Sequence, residues 1–309
     1  MREDFPKNEV EFDHRFFSEQ ACFDYLFQLR WPEGFACSHC GHSEYWTTSR
    51  GLYLCHRCKY QQSLTAGTIF HGTRKPIRLW FKALWWFSTS KTSVNAVALK
   101  NLLGLGSYQT AWCWLQKLRT CTVIADRTKL FGTIEVDEFF LGGEHSGQRG
   151  RGAESKSKVA VAIERQGRKL GRLRLQVIKN CGAKELTSFA KANIELGSQI
   201  TTDGWTGYSS LQGEGYKHRP IIQSKTEDKS SVLPGVHLVT SLLKRVILGT
   251  FQGRFDPQYL QRYLDEYVFR FNRRTCKSIG KRFWRIMQQA THSPPVPRRN
   301  LVLAPGLVE

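Results

Sequence analysis

Two stretches of the chain carry acids where an apolar strand should run. In Gly132-Thr-Ile-Glu-Val-Asp-Glu-Phe-Phe-Leu-Gly-Gly143 the strand formers Ile134, Val136 and Phe140 set the pattern and the glycine pair ends it. Strand alternation puts Glu135 and Asp137 on one face and Glu138 on the other. A carboxylate in such a strand is costly to bury unless it is paired or holds a metal. The second stretch, Ile200-Thr-Thr-Asp-Gly-Trp205, reads as a short strand ending at Asp203, with Gly204 opening a turn. Taken singly, Asp137 fits a hairpin-edge charge and Asp203 a turn-starting aspartate. Together, in a basic chain, they suggest a divalent-metal site acting on nucleic acid.

A different chemistry belongs to Cys37-Ser-His-Cys40 and Cys55-His-Arg-Cys58, two CxxC knuckles separated by 14 residues. Each knuckle puts two thiolates on a tight turn, and a hairpin between them brings the pairs together as a tetrahedral Zn2+ site of Cys37, Cys40, Cys55 and Cys58. Gly41, Tyr45-Trp46 and Leu52-Tyr53-Leu54 fit a zinc ribbon. Four thiolates satisfy the metal, which leaves His39, His42 and His56 exposed or facing DNA. The other five of the nine cysteines are scattered among apolar or mixed neighbours and read as ordinary buried or partly buried thiols.

The formal net charge of +20 over 309 residues favours polyanionic partners, above all double-stranded DNA. The basic residues are spread along the chain, as an extended footprint requires. No run is long and apolar enough to span a membrane, and the N-terminus lacks a signal-peptide pattern. The expected location is therefore cytoplasmic and associated with the nucleoid.

The elements that must position these groups follow in order. Residues 1–30 form a helical segment, with Ser18 capping a helix that carries Cys22, Tyr25, Leu26 and Leu29 on one side. Residues 31–70 form the zinc ribbon. Residues 71–125 are helical: Trp80, Leu84 and Phe87 form a core stripe, and helix, Gly104-Leu-Gly106 and a Ser107-capped helix make a helix-turn-helix pattern. Its second helix would present Tyr108, Gln109 and Thr110 to the DNA major groove. Residues 126–275 form a mixed sheet flanked by helices. Three sequential strands, a basic Gly-rich loop within them, a crossover helix and a fourth strand give a ribonuclease-H-like order, in which the first and fourth strands lie side by side and Asp137 meets Asp203. Downstream, His237, Ser241 and Lys244 share a helical stripe, and Glu266, Arg270 and Arg273 share another. Residues 276–309 supply a basic helix and an extended tail. The fold class is multidomain α/β.

These features resemble the insertion-sequence transposases that join a zinc ribbon to an integrase-like, ISXO2-like DDE domain. The resemblance covers nearly the whole chain. It rests most on Ile134-Glu-Val-Asp-Glu-Phe139, Thr202-Asp-Gly-Trp-Thr-Gly-Tyr208, Ser241-Leu-Leu-Lys-Arg245 with Gly249-Thr250, and the run Tyr263 to Arg274. It implies metal-dependent DNA strand cleavage at element ends and strand transfer, with Mg2+ or Mn2+ held by Asp137 and Asp203. The third ligand departs from the family pattern, because alignment on the Ser241–Arg245 block puts His237 where a glutamate is expected. An Asp-Asp-His site, a site completed by Glu266 and a decayed, DNA-binding copy all follow from that departure, and a structure-specific nuclease is a further alternative. Lys244, Arg270 and Arg273 are candidate DNA contacts, and two element ends call for at least a homodimer.

Overall fold

The computed structural model describes residues 3–124, 127–142, 156–222, 232–253 and 255–302. The chain divides into two compact units, Met1–Ile124 with Thr275–Glu309, and Ala125–Arg274.

The first unit opens with α1 (Glu9–Arg15), capped by Asn8, and α2 (Glu19–Arg30), capped by Ser18. A three-stranded antiparallel sheet follows, with β1 (Tyr45–Thr47), β2 (Tyr53–Cys55) and β3 (Gln61–Gln62) in that order. Then come α3 (Ile77–Thr89), α4 (Ala96–Leu103) and α5 (Tyr108–Thr120). Pro76 leaves α3 without a cap of its own, and the Glu19 carboxylate fills that role by accepting the Ile77 and Arg78 amides at 2.8 and 3.0 Å. The aromatic stripe of α3 is core, as its spacing predicts: Trp85 stacks on Phe12 at 4.7 Å, and Trp80 stacks on Trp114 at 3.8 Å.

The far end of the chain completes this unit. α9 (Ile279–His292) inserts Phe283 edge-on against Phe12, Phe81 and Trp85. The expected extended tail is corrected at Arg298–Leu301, which form α10 against α5 with Leu301 fully buried. A buried leucine offsets the ordering of a short Pro-flanked segment that the Pro-rich composition alone does not favour.

The second unit is a five-stranded mixed sheet in the order β6-β5-β4-β7-β8. β4 (Thr133–Leu141) pairs along its whole length, antiparallel, with β5 (Ser157–Gln166), and β5 pairs antiparallel with β6 (Lys169–Ile178). After α6 (Ala183–Asn193), β7 (Gln199–Thr202) returns parallel to β4, and β8 (Lys217–Pro220) adds parallel to β7. This fifth strand, Lys-His-Arg-Pro, was not among the expected elements. Its charged residues and proline suit an outer edge and leave no alternation to read.

Both sheet faces are covered. Ile134, Val136, Ala160, Ala162 and Ile200 pack with Leu186 and Phe189 of α6. Phe139, Val159, Val161, Ile163 and Leu173 pack with α7 (Pro234–Phe251) and α8 (Leu260–Phe271). The outer edge of β6 is bonded by two side-chain amides, Gln261 in the first turn of α8 and Asn272 at its C-terminal cap. Asn272 accepts the Leu173 amide at 2.7 Å and donates to its carbonyl at 3.2 Å, and Gln261 does the same for Val177 and Leu175 at 2.8 and 3.2 Å. Most of the Gly-rich loop, residues 143–155, lies outside the described residues.

Gly235 lets α7 meet the sheet. A Cβ there would stand 2.8 Å from Glu135 Oε2 and 2.9 Å from Leu170 Cδ2, so Gly235→Ala should destabilise the unit by about 1–3 kcal/mol through overpacking. Urea denaturation checks this, and an unchanged midpoint would refute the close docking.

Candidate catalytic site and metal centre

The β4 face turned toward α7 carries Glu135 and then Asp137. Glu135 is buried; its Oε2 accepts the Val236 amide at 3.0 Å and its Oε1 lies 3.3 Å from Arg165 Nε. The carboxylate thus caps the first turn of α7 and is stabilised by the positive end of that helix. Sequence reading placed Glu135 on this face but gave it no role, because its partner lies 101 residues away.

Asp137 is half-buried, and its Oδ1 accepts the Glu138 amide at 2.9 Å. The parallel ladder of β4 with β7 pairs Thr133 with Gln199, Ile134 with Ile200 and Glu135 with Thr201. The last pair is Glu135 with Thr201; carried two residues further, the same register would set Asp137 abreast of Asp203. Asp203 is half-buried as well; its Oδ1 accepts the Trp205 amide at 3.0 Å, and Gly204 turns the chain at φ +82°. Such a φ is open to glycine and strained for other residues. The strand end before Asp203 is braced by Thr202 Oγ1 and His218 Nε2 at 3.0 Å; burial lowers the His218 pKa, which favours the neutral ring.

Glu138 points to the other face of β4, where it is buried and accepts a 2.7 Å hydrogen bond from the phenol of Tyr208. Burial first, then Glu138, and more weakly Asp137 and Asp203, hold the Tyr208 pKa well above its usual value. Three carboxylates therefore concentrate negative potential at this end of the sheet. The oxygen donors of Asp137 and Asp203 suit a hard divalent cation such as Mg2+ or Mn2+, whose charge would relieve that potential.

His237 is exposed in the first turn of α7, the residue after the amide that Glu135 caps. Lys244 lies two turns further along the same helix, also exposed. Among the described residues, Asp137, Asp203 and His237 do not all three lie within 4.8 Å of one another, whereas the four cysteines do. Glu266 is buried in α8 and engages Arg270 at 2.7 Å, and Arg273 lies over the Phe269 ring at 3.9 Å. In the other unit α4 ends at Gly104 in the left-handed region, and Ser107 caps α5 through the Gln109 amide at 3.2 Å. There Tyr108 is exposed, and Gln109 and Thr110 are half-buried.

The metal centre of the ribbon is built from both knuckles. Cys37 Sγ lies 3.6 Å from Cys58 Sγ, and Cys40 Sγ lies 3.6 Å from Cys55 Sγ. A tetrahedron with Zn–S bonds of about 2.3 Å has edges of about 3.8 Å, so the four sulfurs fit a Zn2+ ion. Burial disfavours the Cys55 thiolate, but the Cys58 and Arg57 amides and the neighbouring thiols outweigh it and hold the thiol down to about 6. At Cys58 the Tyr60 amide favours the thiolate, yet burial and the three other thiols push it up to about 12. Four close thiols cannot all ionise without a cation among them. Around them His56 lies 3.3 Å from Glu44, and its ring centroid is 3.7 Å from that of the exposed Trp46. His39 is exposed, and His42 is half-buried.

Comparison with known proteins agrees with both halves. Residues 129–272 match the family described as the ISXO2-like transposase domain, and residues 17–61 match the transposase zinc-ribbon domain. A Halobacterium salinarum protein, described as an uncharacterized protein in transposable element ISH50, is 24% identical over 283 residues, covering 82% of this chain and 93% of the relative. No helix of the described residues is long and apolar enough to cross a membrane. The chain thus carries a transposase zinc-ribbon domain followed by an ISXO2-like transposase domain.

Proposed function

We propose that this protein is an active transposase that binds the terminal inverted repeats of its own insertion sequence, cuts there and joins the freed ends to target DNA in the cytoplasm. The observation that carries the reading is the parallel pairing of β4 with β7, whose register, continued past its last pair, leads Asp137 in the middle of β4 alongside Asp203 just after β7. The strand order, with the first strand between the second and the fourth, supports a ribonuclease-H-like sheet for residues 126–275. In this reading α4 and α5 are a helix-turn-helix, with Tyr108, Gln109 and Thr110 at the base edges.

Asp137 and Asp203 would hold Mg2+ or Mn2+, and His237 would complete the set from the first turn of α7. The ions would stabilise charge on the scissile phosphate and the leaving 3′-oxygen. The sheet end keeps both aspartates facing the phosphate, and Lys244 neutralises and positions a neighbouring DNA phosphate. Arg270 and Arg273 lie further along the duplex path. A water oxygen bonds to phosphorus as the 3′-oxygen leaves with a proton; that 3′-hydroxyl then attacks a target phosphodiester, forming a new O–P bond as the target's own 3′-oxygen leaves and takes up the hydroxyl's proton. Two element ends handled together call for at least a dimer.

The test is incubation with linear DNA carrying the element's own ends, in Mg2+ and in Mn2+. New 3′-hydroxyls at the element boundary support the reading. Specific binding without cutting would leave a DNA-binding regulator, and cutting of junctions irrespective of end sequence would leave a nuclease. With +20 net charge spread along the chain, affinity should fall by about 10³-fold or more between about 50 and 200 mM salt. Fluorescence anisotropy reads this directly, and a flat response would exclude an extended phosphate footprint.

A further inference from the structure

The paired residues of β4 and β7 reach Glu135 and Thr201, two residues short of the aspartates. Another set of hydrogen bonds spans the gap. The Glu138 amide donates to Asp137 Oδ1 at 2.9 Å, and the Tyr208 phenol donates to Glu138 Oε2 at 2.7 Å. The Tyr208 amide donates to the Trp205 carbonyl at 3.0 Å, and the Trp205 amide donates to Asp203 Oδ1 at 3.0 Å. These four bonds run from one aspartate to the other through the face of the sheet opposite His237.

Each link is fixed by something else. Tyr208 is fully buried in the core beneath α6, in the 3₁₀ segment Thr206–Leu211, and the Trp205 indole donates to the Cys181 carbonyl at 2.9 Å. Glu138 is buried too, so loss of the phenol would leave a carboxylate short of a donor in a low-dielectric setting, which is costly. Gly207 admits the tight turn, since a Cβ there would meet the Trp205 ring and the Cys181 carbonyl at 2.6–2.9 Å.

We infer that the Tyr208–Glu138 hydrogen bond is a strap that sets the spacing of Asp137 and Asp203 and so tunes divalent-cation affinity at the proposed catalytic site. Tyr208 and Glu138 are positioning residues and do not ligate the ion. The inference rests on the reading of Asp137 and Asp203 as ligands.

The experiment is Mn2+ titration of the full chain, followed through the electron paramagnetic resonance of free Mn2+, with thermal melts of the metal-free proteins alongside. Relative to wild type, Tyr208→Phe should bind about tenfold more weakly, as expected for one hydrogen bond to a charged group, while Glu138→Gln, which keeps an acceptor and gives up one nearby charge, loses less than Tyr208→Phe. Asp137→Ala should lose the site. If Tyr208→Phe fails to fold, Glu138→Leu removes the acceptor and carries the same expectation. Wild-type affinity in Tyr208→Phe, with only its melting temperature lowered, would make the bond merely structural and overturn the strap. A Glu138→Gln loss as large as that of Asp137→Ala would make Glu138 a ligand and also overturn it. Both of those results leave the metal site standing, whereas wild-type protein without Asp137-dependent Mn2+ binding would sink the site and the strap together.

Discussion

Asp137→Ala should reduce cleavage at the element ends by on the order of 10³-fold or more, beyond the loss usual for one preorganised electrostatic donor. Its DNA affinity should stay unchanged. The residue sits half-buried in the middle of a fully paired strand with its side chain off the ladder, so removing its carboxylate leaves the pairing with β5 and both cores intact. Asp137→Asn sharpens the test, because the amide oxygen can still accept the Glu138 amide while the charge is gone. His237→Ala distinguishes the ligand sets. His237 is exposed on a helix that Glu135 anchors through Val236, so its loss should spare folding and abolish cleavage. Imidazole binds Mn2+ more readily than Mg2+, and the wild type should therefore work better in Mn2+. Cleavage that survives His237→Ala would require another third ligand, and Glu266 would first have to leave Arg270. Cleavage that survives Asp137→Ala would remove the proposed site altogether.

Local signals in the chain were readable where a single residue sets a boundary. Ser18 and Ser107 cap the helices that their side chains announce, and Gly104 and Gly204 turn where only glycine turns easily. The zinc knuckles were legible for the same reason, since ligand type and spacing are local. The neighbouring positions of β4 and β7 followed from strand count and one crossover helix. The rest depends on partners far along the chain. Glu135 shares a face with Asp137 and gains a role only once Val236 and Arg165 are seen to hold it. Tyr208 reads as one more aromatic until its phenol meets Glu138 across 70 residues of sequence. Asn272 and Gln261 read as helix-surface polars, yet they bond to the edge of β6. Phe283 gives no hint of packing against Phe12, because periodicity reports which face is buried and not what covers it.

Removing zinc should unfold the ribbon and abolish end-specific DNA binding, while Ala125–Arg274 keeps its own melting transition. The ribbon's strands hold 3, 3 and 2 residues, too short for the ladder alone to offset the entropy of ordering the loops between them. An aromatic cluster helps: Phe35 packs against Tyr45 and Tyr53 at 4.7 and 5.8 Å, and Trp31 against Phe35 at 5.0 Å. Metal binding contributes more, about 10–16 kcal/mol for structural Zn2+ near neutral pH, and it becomes folding free energy because the site is absent from the unfolded chain. Cys55→Ser breaks a fully buried corner of the tetrahedron and should act like chelation. Limited trypsin digestion should then open Arg50, Arg57 and Lys59, and a metal indicator should count one Zn2+ lost per chain. Affinity for Zn2+ should fall as pH falls, because all four thiols must shed protons to bind it and Cys58 holds its proton up to about 12 without the ion. The second unit has separate cores on both faces of its own sheet, and none of their residues comes from the ribbon. A zinc-free protein that still chose the element ends would show that the helices, not the ribbon, carry the sequence reading.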